Sequence, residues 1–170
     1  MENNNTASVK NIAMNYGIYL GLLSITGLVI LYLLNEESNI YLSIISIGVT
    51  IVIYYYGIYS YKKLNANQLR VRDGLKSGMS ISAIGGLISA VYTYIHYVFV
   101  RPEFVANIKE KALEGIYNQT PKLEGEQLDL ALKITDITTS PFFFSTVTIV
   151  GALLFGLIIS LIIGAILKSN

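Results

Sequence analysis

The sequence contains no cysteine and no tryptophan, and its single histidine is His96. Without cysteine the chain forms no disulfide, no reactive thiolate and no cysteine-ligated metal centre. A metal site needs several ligands and a general base needs an orienting partner, so a single histidine limits both kinds of site. These absences predict a protein that carries no metal and no other cofactor.

Charged residues are also scarce. They make up 14% of the chain and hydrophobic residues 53%, whereas charged residues make up about 25% of a typical soluble protein. The net charge of +1 gives no reason to expect nucleic acid or an acidic substrate as a partner. The composition therefore excludes an ordinary soluble domain and indicates that the lipid bilayer is the surrounding medium.

Four long stretches of the sequence contain no Asp, Glu, Lys or Arg: residues 11–35, 38–61, 77–100 and 137–167. Each is longer than the ~20 helical residues that cross a hydrocarbon core of about 30 Å. We therefore predict an all-α integral membrane bundle, a single domain over residues 1–170. The predicted spans are about 13–34, 40–61, 77–100 and 142–167.

The basic residues indicate the orientation of these spans. The connection between the second and third spans carries Lys62, Lys63, Arg70, Arg72 and Lys76, whereas the first connection carries only acidic residues. Lys and Arg collect on the cytoplasmic side of membrane proteins. We expect both termini to lie in the cytoplasm.

Residues 101–141 form the only sizeable segment outside the predicted spans. Pro102 suits the first position of a helix, where its missing N–H is not needed. Apolar residues recur at helical spacing on both sides of Pro121, as in Phe104, Ile108 and Ile116 and then in Leu128 and Leu132. This pattern predicts an extracytoplasmic helical hairpin between the third and fourth transmembrane helices.

Tyrosines cluster at the inner end of the second predicted span, where Tyr54, Tyr55, Tyr56, Tyr59 and Tyr61 follow one another closely. Tyrosine prefers the headgroup level, with its ring buried and its hydroxyl in water. We interpret this cluster as an interfacial belt.

Small residues recur at roughly one-turn spacing along three of the predicted spans. Because lipid tails are as apolar as leucine, such seams indicate close contacts between helices. The predicted helix-packing residues are Gly17, Gly21, Gly78, Ser82, Gly85, Gly86, Ser89, Ala152, Gly156, Ser160 and Gly164. The sequence does not determine whether each seam contacts a helix of the same chain or of a second subunit. Glycines at these positions can instead leave space for a lipid or a substrate.

His96 lies near the outer end of the third predicted span and is followed by Arg101 and Glu103. These three residues form a candidate polar site, because ionisable groups at membrane depth are often functional. We favour a polar packing contact for His96, with catalysis together with Glu103 as the competing hypothesis. The lack of charges within the spans disfavours a proton-coupled carrier or a voltage sensor.

The segments "RDGLKSGM", "SAVYTYIHYVFVRPEF" and "GLIISLIIGAILKS" resemble an uncharacterised four-span bacterial inner-membrane family, common in Bacteroidetes. The resemblance covers nearly the whole chain and brings no assigned catalytic residue with it. The resemblance implies a location in the inner membrane. It also implies a polyprenyl-phosphate glycosyltransferase system as a partner, since genes of the family lie near a membrane glycosyltransferase for polyprenyl phosphate.

Three functions follow from these observations. The leading interpretation is a non-enzymatic accessory subunit that packs with another membrane protein or as a homo-oligomer. The alternative is a small dimeric transporter or lipid-handling protein, which requires a polar cavity within the membrane and which the charge-free spans disfavour. The third is an enzyme that uses His96 with Glu103.

Overall fold

The computed structural model describes residues 2–119 and 121–169, and in this part of the chain it contains helices and no strand. The prediction of an all-α fold is therefore confirmed. The helices are α1 (Glu2–Leu33), α2 (Ile40–Leu64), α3 (Val71–Ile95), α4 (Pro102–Asn118), α5 (Glu126–Thr138) and α6 (Pro141–Leu167). A π-helical turn, His96–Val100, follows α3 directly.

Four helical stretches are long and apolar enough to cross a membrane: Lys10–Leu33, Ile40–Leu64, Val71–Val100 and Pro141–Leu167. They overlap the four charge-free stretches of the sequence, and the second extends beyond its stretch through Lys62 and Lys63. The third begins at Val71, ahead of the charge-free residues, because charged side chains stabilise its first turn. Arg70 Nε donates to Asp73 Oδ2 at 2.9 Å, and this hydrogen bond raises the pKa of the Arg70 guanidinium. The Asp73 carboxylate also suits the positive end of the helix dipole.

The ends of α2 and α6 are fixed by polar contacts. The side chain of Asn39 accepts hydrogen bonds from the backbone N–H groups of Tyr41 and Leu42, which caps the start of α2. Near the other end of α2, Lys62 Nζ donates to the backbone carbonyl of Leu167, the last residue of α6, at 2.9 Å. The last carbonyls of a helix have no partner within it and carry partial negative charge, so an ammonium group is well placed there.

The described residues divide into two compact units. The first comprises the chain up to Ser89 together with the residues from Thr148 onward, and the second comprises Ala90–Val147. The core of the first unit is built from buried side chains of α1, α2, α3 and α6 and of the connection before α3. Its members are Ile12, Leu20, Tyr54, Ile58, Tyr61, Leu69, Ile81 and Ile163. Tyr54 is only 1% exposed, so its assignment to an interfacial belt is wrong.

Within the first unit, α3 and α6 pack closely along their small residues. The facing pairs, in forward order along α3 and in reverse order along α6, are Gly74 with Gly164, Gly78 with Ser160, Ser82 with Gly156, and Gly86 with Ala152. Both members step by four residues, which is the spacing of one stripe on a helix. A Cβ atom added at Gly78 would fall on the side chain of Ser160, and one at Gly156 would fall on that of Ser82. The two helices therefore approach so closely that larger side chains find no room.

Helix α1 packs on another side of α3. A Cβ atom at Gly17 would lie 2.7 Å from Ile84 Cβ, and one at Gly21 would lie 2.6 Å from a methyl carbon of Ile88. Gly85 of α3 receives the side chain of Leu20 in the same way. Each glycine thus forms a recess for an aliphatic side chain of the other helix. That these recesses and the α3–α6 seam hold the fold together stays a prediction.

The second unit contains α4, α5 and the residues that flank them. Lys109 of α4 pairs with Asp136 of α5, with 2.7 Å between Nζ and Oδ1. At the end of α3, the ring of Tyr97 stacks on Phe104 at 5.1 Å between centroids and contacts Phe144 at 5.3 Å. An apolar aromatic cluster therefore surrounds the π-helical turn.

Candidate functional site

A cavity of about 460 Å³ lies between α1, α2, α3 and α6 in the first unit. It reaches from the connection Glu37–Asn39 to Leu20 and Tyr54, which is about 22 Å along α2 at 1.5 Å per residue. Ligand pockets typically have volumes of roughly 300–1,000 Å³. The cavity is therefore large enough for a small molecule or for part of a lipid.

One wall of the cavity is the hydroxyl-bearing face of α2. Ser43, Ser46, Thr50 and Tyr54 follow one another at spacings of three and four residues, so they lie along one side of the helix. Asn39 and Ser38 continue this polar line into the preceding connection. Polar groups therefore recur along the whole length of this wall, beside Leu42 and Ile47.

Apart from Ser24, the opposite wall is apolar, and it is partly made of glycine. Leu20, Leu23, Leu28 and Leu31 of α1 share one side of that helix and face the cavity. The space exists because the positions between the helices carry no side chain. A Cβ atom added at Gly27 of α1, or at Gly151 of α6, would find no atom within 4 Å.

The floor of the cavity contains a directed chain of hydrogen bonds. Ser82 Oγ donates its only proton to the carbonyl of Gly78 at 2.9 Å. The arrangement that satisfies all three groups therefore has Tyr54 donating to Ser82 across the 2.7 Å between their hydroxyls. As a result, the phenol oxygen of Tyr54 retains its lone pairs for a further hydrogen bond.

On the helices that line the cavity, three hydroxyls have no partner in the described residues: Ser24 of α1 and Ser46 and Thr50 of α2. Two other lining hydroxyls are paired within their own helix region. Ser43 Oγ donates to the carbonyl of Asn39, and Ser89 Oγ donates to that of Gly85. An unsatisfied polar group within a membrane is unfavourable by several kcal/mol, so the three hydroxyls are available to bond to water or to a bound molecule.

Charge is confined to the mouth of the cavity. Among the side chains that line it, Glu37 alone is charged, and this residue lies in the connection between α1 and α2. The deeper lining offers hydroxyls and hydrocarbon only. The cavity therefore suits hydrogen-bonding groups without charge.

Of the helix-packing residues predicted from the sequence, Gly86, Ser89 and Ala152 line the cavity. Gly74, which faces Gly164 in the α3–α6 seam, was missed because it stands among charged residues. The polar wall of α2 was missed as well. Its signal was present in the sequence as hydroxyl residues at helical spacing within a charge-free stretch.

The candidate polar site of His96, Arg101 and Glu103 lies in the second unit. His96 is 2% exposed, and its ring lies 5.6 Å from that of Tyr92 and 5.3 Å from that of Tyr97. The backbone N–H of Arg101 donates to the carbonyl of His96 at 2.8 Å, which closes the π-helical turn. Turns of this kind are frequent at functional sites.

The structure brings Arg101 and Glu103 together, with 3.8 Å between Nε and Oε1, and places the Arg101 guanidinium over the ring of Phe104. It surrounds His96 with aromatic rings. Within residues 2–119 and 121–169, no cluster of three or more His, Asp or Glu side chains is arranged to hold a metal ion. The first unit therefore contains the better candidate site.

Comparison with known proteins gives one match. The model of a family described as "Protein of unknown function (DUF4199)" matches residues 15–169, which confirms the expected resemblance to an uncharacterised family. No curated protein and no solved structure matches the chain.

Proposed function

Because the chain belongs to the DUF4199 family, whose description assigns no activity, we propose a function from the cavity itself. The protein is a multi-pass membrane protein that binds an amphiphilic molecule between α1, α2, α3 and α6. This is the lipid-handling alternative of the sequence analysis.

The unpartnered hydroxyls of Ser24, Ser46 and Thr50 carry this proposal. Polar side chains that face a lipid-embedded cavity need hydrogen-bond partners, and the leucines on the opposite wall favour hydrocarbon. A molecule with both kinds of surface satisfies both walls. The charge-free spans argued against a polar cavity, but uncharged hydroxyls are sufficient to build one.

We propose that the protein acts without catalysing a reaction. General acid–base catalysis needs titratable groups placed together near the reacting atoms. In the lining of the cavity these are Glu37, which precedes α2, and Tyr54, which stands about 21 Å along α2 from its first residue, Ile40. Binding or transfer of the amphiphile is the activity that such a lining supports.

The same proposal includes an orientation in the bacterial inner membrane, with both termini in the cytoplasm. The cluster Lys62, Lys63, Arg70, Arg72 and Lys76 supports it, since basic residues mark the cytoplasmic side. In this orientation α4 and α5 form an extracytoplasmic helical hairpin.

A second candidate function is the accessory subunit, in which the protein packs with another membrane protein or with a second copy. The observation in its favour is an apolar stripe on α5, outside the four candidate spans. Leu130, Ile134 and Ile137 lie at i, i+4 and i+7 and are 58%, 51% and 63% exposed. Replacement of all three by serine should abolish co-purification of the partner or the homo-oligomer, while leaving lipid binding unchanged.

Cavity-filling variants test the binding function. Gly27→Leu and Gly151→Leu place a side chain in the open space of the cavity, where an added Cβ meets nothing within 4 Å. Gly48→Leu is the matched control, because Gly48 of α2 is equally unobstructed but does not line the cavity.

The readout is native mass spectrometry of the full-length protein, purified in mild detergent and mixed with a total lipid extract of a bacterial inner membrane. We expect a lipid adduct on the wild type and on Gly48→Leu, and its loss from Gly27→Leu and Gly151→Leu. Absence of any adduct on the wild type, or equal adducts on all four proteins, contradicts the proposal.

A further inference from the structure

We infer that the cavity selects an uncharged amphiphile whose hydroxyl or carbonyl groups lie between the edge and the midplane of the hydrocarbon core and bond to Ser24, Ser46 and Thr50. This inference rests on the proposed function and specifies the chemical class of its ligand.

The depth of the three hydroxyls is the first argument. Ser46 and Thr50 stand six and ten residues after the start of α2 at Ile40, so they lie about 9 Å and 15 Å below that end of the helix. Ser24 stands nine residues before the end of α1 at Leu33, about 14 Å below it. The hydrocarbon core is about 30 Å thick, so these groups lie between its edge and its midplane.

The acyl chain of an ordinary phospholipid has no polar atom at this depth. Such a chain in the cavity would leave the hydroxyls without partners, which is unfavourable in a medium that contains no water. A ligand that carries its carbonyl or hydroxyl groups into the cavity satisfies them. The phenol oxygen of Tyr54 lies one turn below Thr50. It is a further hydrogen-bond acceptor, because Tyr54 donates its own proton to Ser82.

The distribution of charge is the second argument. No Lys or Arg lines the cavity, so a phosphate at the depth of Ser46 would have no positive partner. At the mouth it would meet the carboxylate of Glu37, which repels it. Phosphate headgroups are therefore disfavoured at both positions. This includes polyprenyl phosphate, so any link to a glycosyltransferase for that lipid would not run through this cavity.

Two natural sources provide uncharged headgroups of this kind. Diacylglycerol carries one hydroxyl and two ester carbonyls, and an isoprenoid quinone carries two ring carbonyls. Both groups bond to serine and threonine hydroxyls, so the shared chemistry is an uncharged oxygen-bearing headgroup on an apolar tail. The experiment below separates the two sources.

The test compares dioleoylglycerol, a menaquinone and dioleoyl phosphatidylglycerol as probes in native mass-spectrometric titrations of the purified full-length protein. The variants are Ser46→Ala, Thr50→Val and the double substitution; Thr50→Val replaces the hydroxyl by a methyl group of nearly the same size. Ser80→Ala is the matched control, since Ser80 of α3 does not line the cavity and donates its proton to the carbonyl of Lys76.

We expect at least one uncharged probe to bind the wild type about tenfold or more tightly than phosphatidylglycerol. The double variant should lose about tenfold in affinity for that probe, the order expected for two hydrogen bonds of ordinary strength. Ser80→Ala should bind like the wild type. Preference for dioleoylglycerol or for the menaquinone identifies the source.

Two results overturn the inference but not the proposed function. In one, phosphatidylglycerol binds as tightly as the uncharged probes and Gly151→Leu abolishes its binding. In the other, an uncharged probe binds with unchanged affinity to the double variant and Gly151→Leu abolishes this binding. If no probe and no lipid from the extract binds the wild type, the proposed function itself fails. Thermal melting of each variant shows whether it is folded.

Discussion

In the arrangement that satisfies all three groups, the hydroxyl of Tyr54 on α2 donates to Ser82 Oγ on α3 across 2.7 Å. Ser82 Oγ in turn donates to the carbonyl of Gly78. The two side chains are therefore not equivalent, although each is at most 1% exposed. Loss of the Tyr54 hydroxyl leaves Ser82 with its backbone acceptor. Loss of the Ser82 hydroxyl leaves the phenol of Tyr54 with a buried proton and no acceptor.

This asymmetry predicts unequal stability losses. Tyr54→Phe should cost about 0.6 kcal/mol, the average of polar contacts between helices in membranes. Ser82→Ala should cost about 1–3 kcal/mol, the usual penalty of an unsatisfied buried donor. The double variant should be no less stable than Ser82→Ala alone. Unfolding in mixed micelles with increasing denaturing detergent measures the free energies, and a larger loss for Tyr54→Phe would refute the direction of the bond.

The seam between α3 and α6 predicts a difference between two glycines of the same helix. A Cβ atom at Gly156 would fall on the Ser82 side chain and 2.7 Å from the hydroxyl oxygen of Tyr54, whereas one at Gly151 would meet nothing within 4 Å. Gly156→Ala should destabilise the protein by about 1–3 kcal/mol, the usual cost of an overpacked contact. Gly151→Ala should leave stability unchanged or raise it by up to about 1 kcal/mol, because alanine is the better helix former.

The same detergent unfolding measures both glycine variants. Gly156→Leu should lower the melting temperature further, with Leu157→Ile as an exposed control on the neighbouring position. A melting temperature of Gly156→Leu equal to that of the wild type would show that the seam tolerates side chains and does not hold α3 against α6.

The positions of the helices followed from the sequence because charge is excluded from the membrane core, whatever the tertiary structure. The small-residue stripe of α6 followed for a similar reason, since a residue every four positions must lie on one face. The cavity could not be predicted from the sequence. Whether Ser46 faces a neighbouring leucine, lipid or empty space depends on how four helices pack against one another. In the sequence, Gly27 and Gly151 cannot be distinguished from other helix glycines.

Tyr54 shows the limit of reasoning from local clusters. It stands beside Tyr55 and Tyr56 in the chain, and the three together resemble an interfacial belt. Adjacent residues of a helix point about 100° apart, so a cluster in sequence is divided among several faces. Tyr54 is consequently buried against α3, while Tyr55 and Tyr56 are 39% and 54% exposed.

The proposed orientation predicts opposite labelling of two introduced cysteines. Gln68→Cys, in the basic connection, should be protected from an impermeant thiol reagent on intact spheroplasts, and Glu124→Cys, between α4 and α5, should react. Both positions are exposed in the structure, and the natural chain has no cysteine to interfere. Gly125 is avoided because its φ of 56° is unfavourable for any other residue. Reaction at position 68 without reaction at position 124 would reverse the orientation.

The last prediction concerns His96, which lies among Tyr92 and Tyr97 at the start of the π-helical turn. If His96 acts as a packing residue, His96→Gln keeps a donor and an acceptor and should leave both the melting temperature and lipid binding nearly unchanged. His96→Leu should cost no more than about 1–2 kcal/mol, in line with interhelical polar contacts in membranes. A catalytic role together with Glu103 predicts another pattern, in which both variants, and Glu103→Gln as well, are folded but equally inactive in a growth-complementation assay. Because the ring of His96 is enclosed by aromatic side chains while Glu103 pairs with Arg101, we expect the packing pattern.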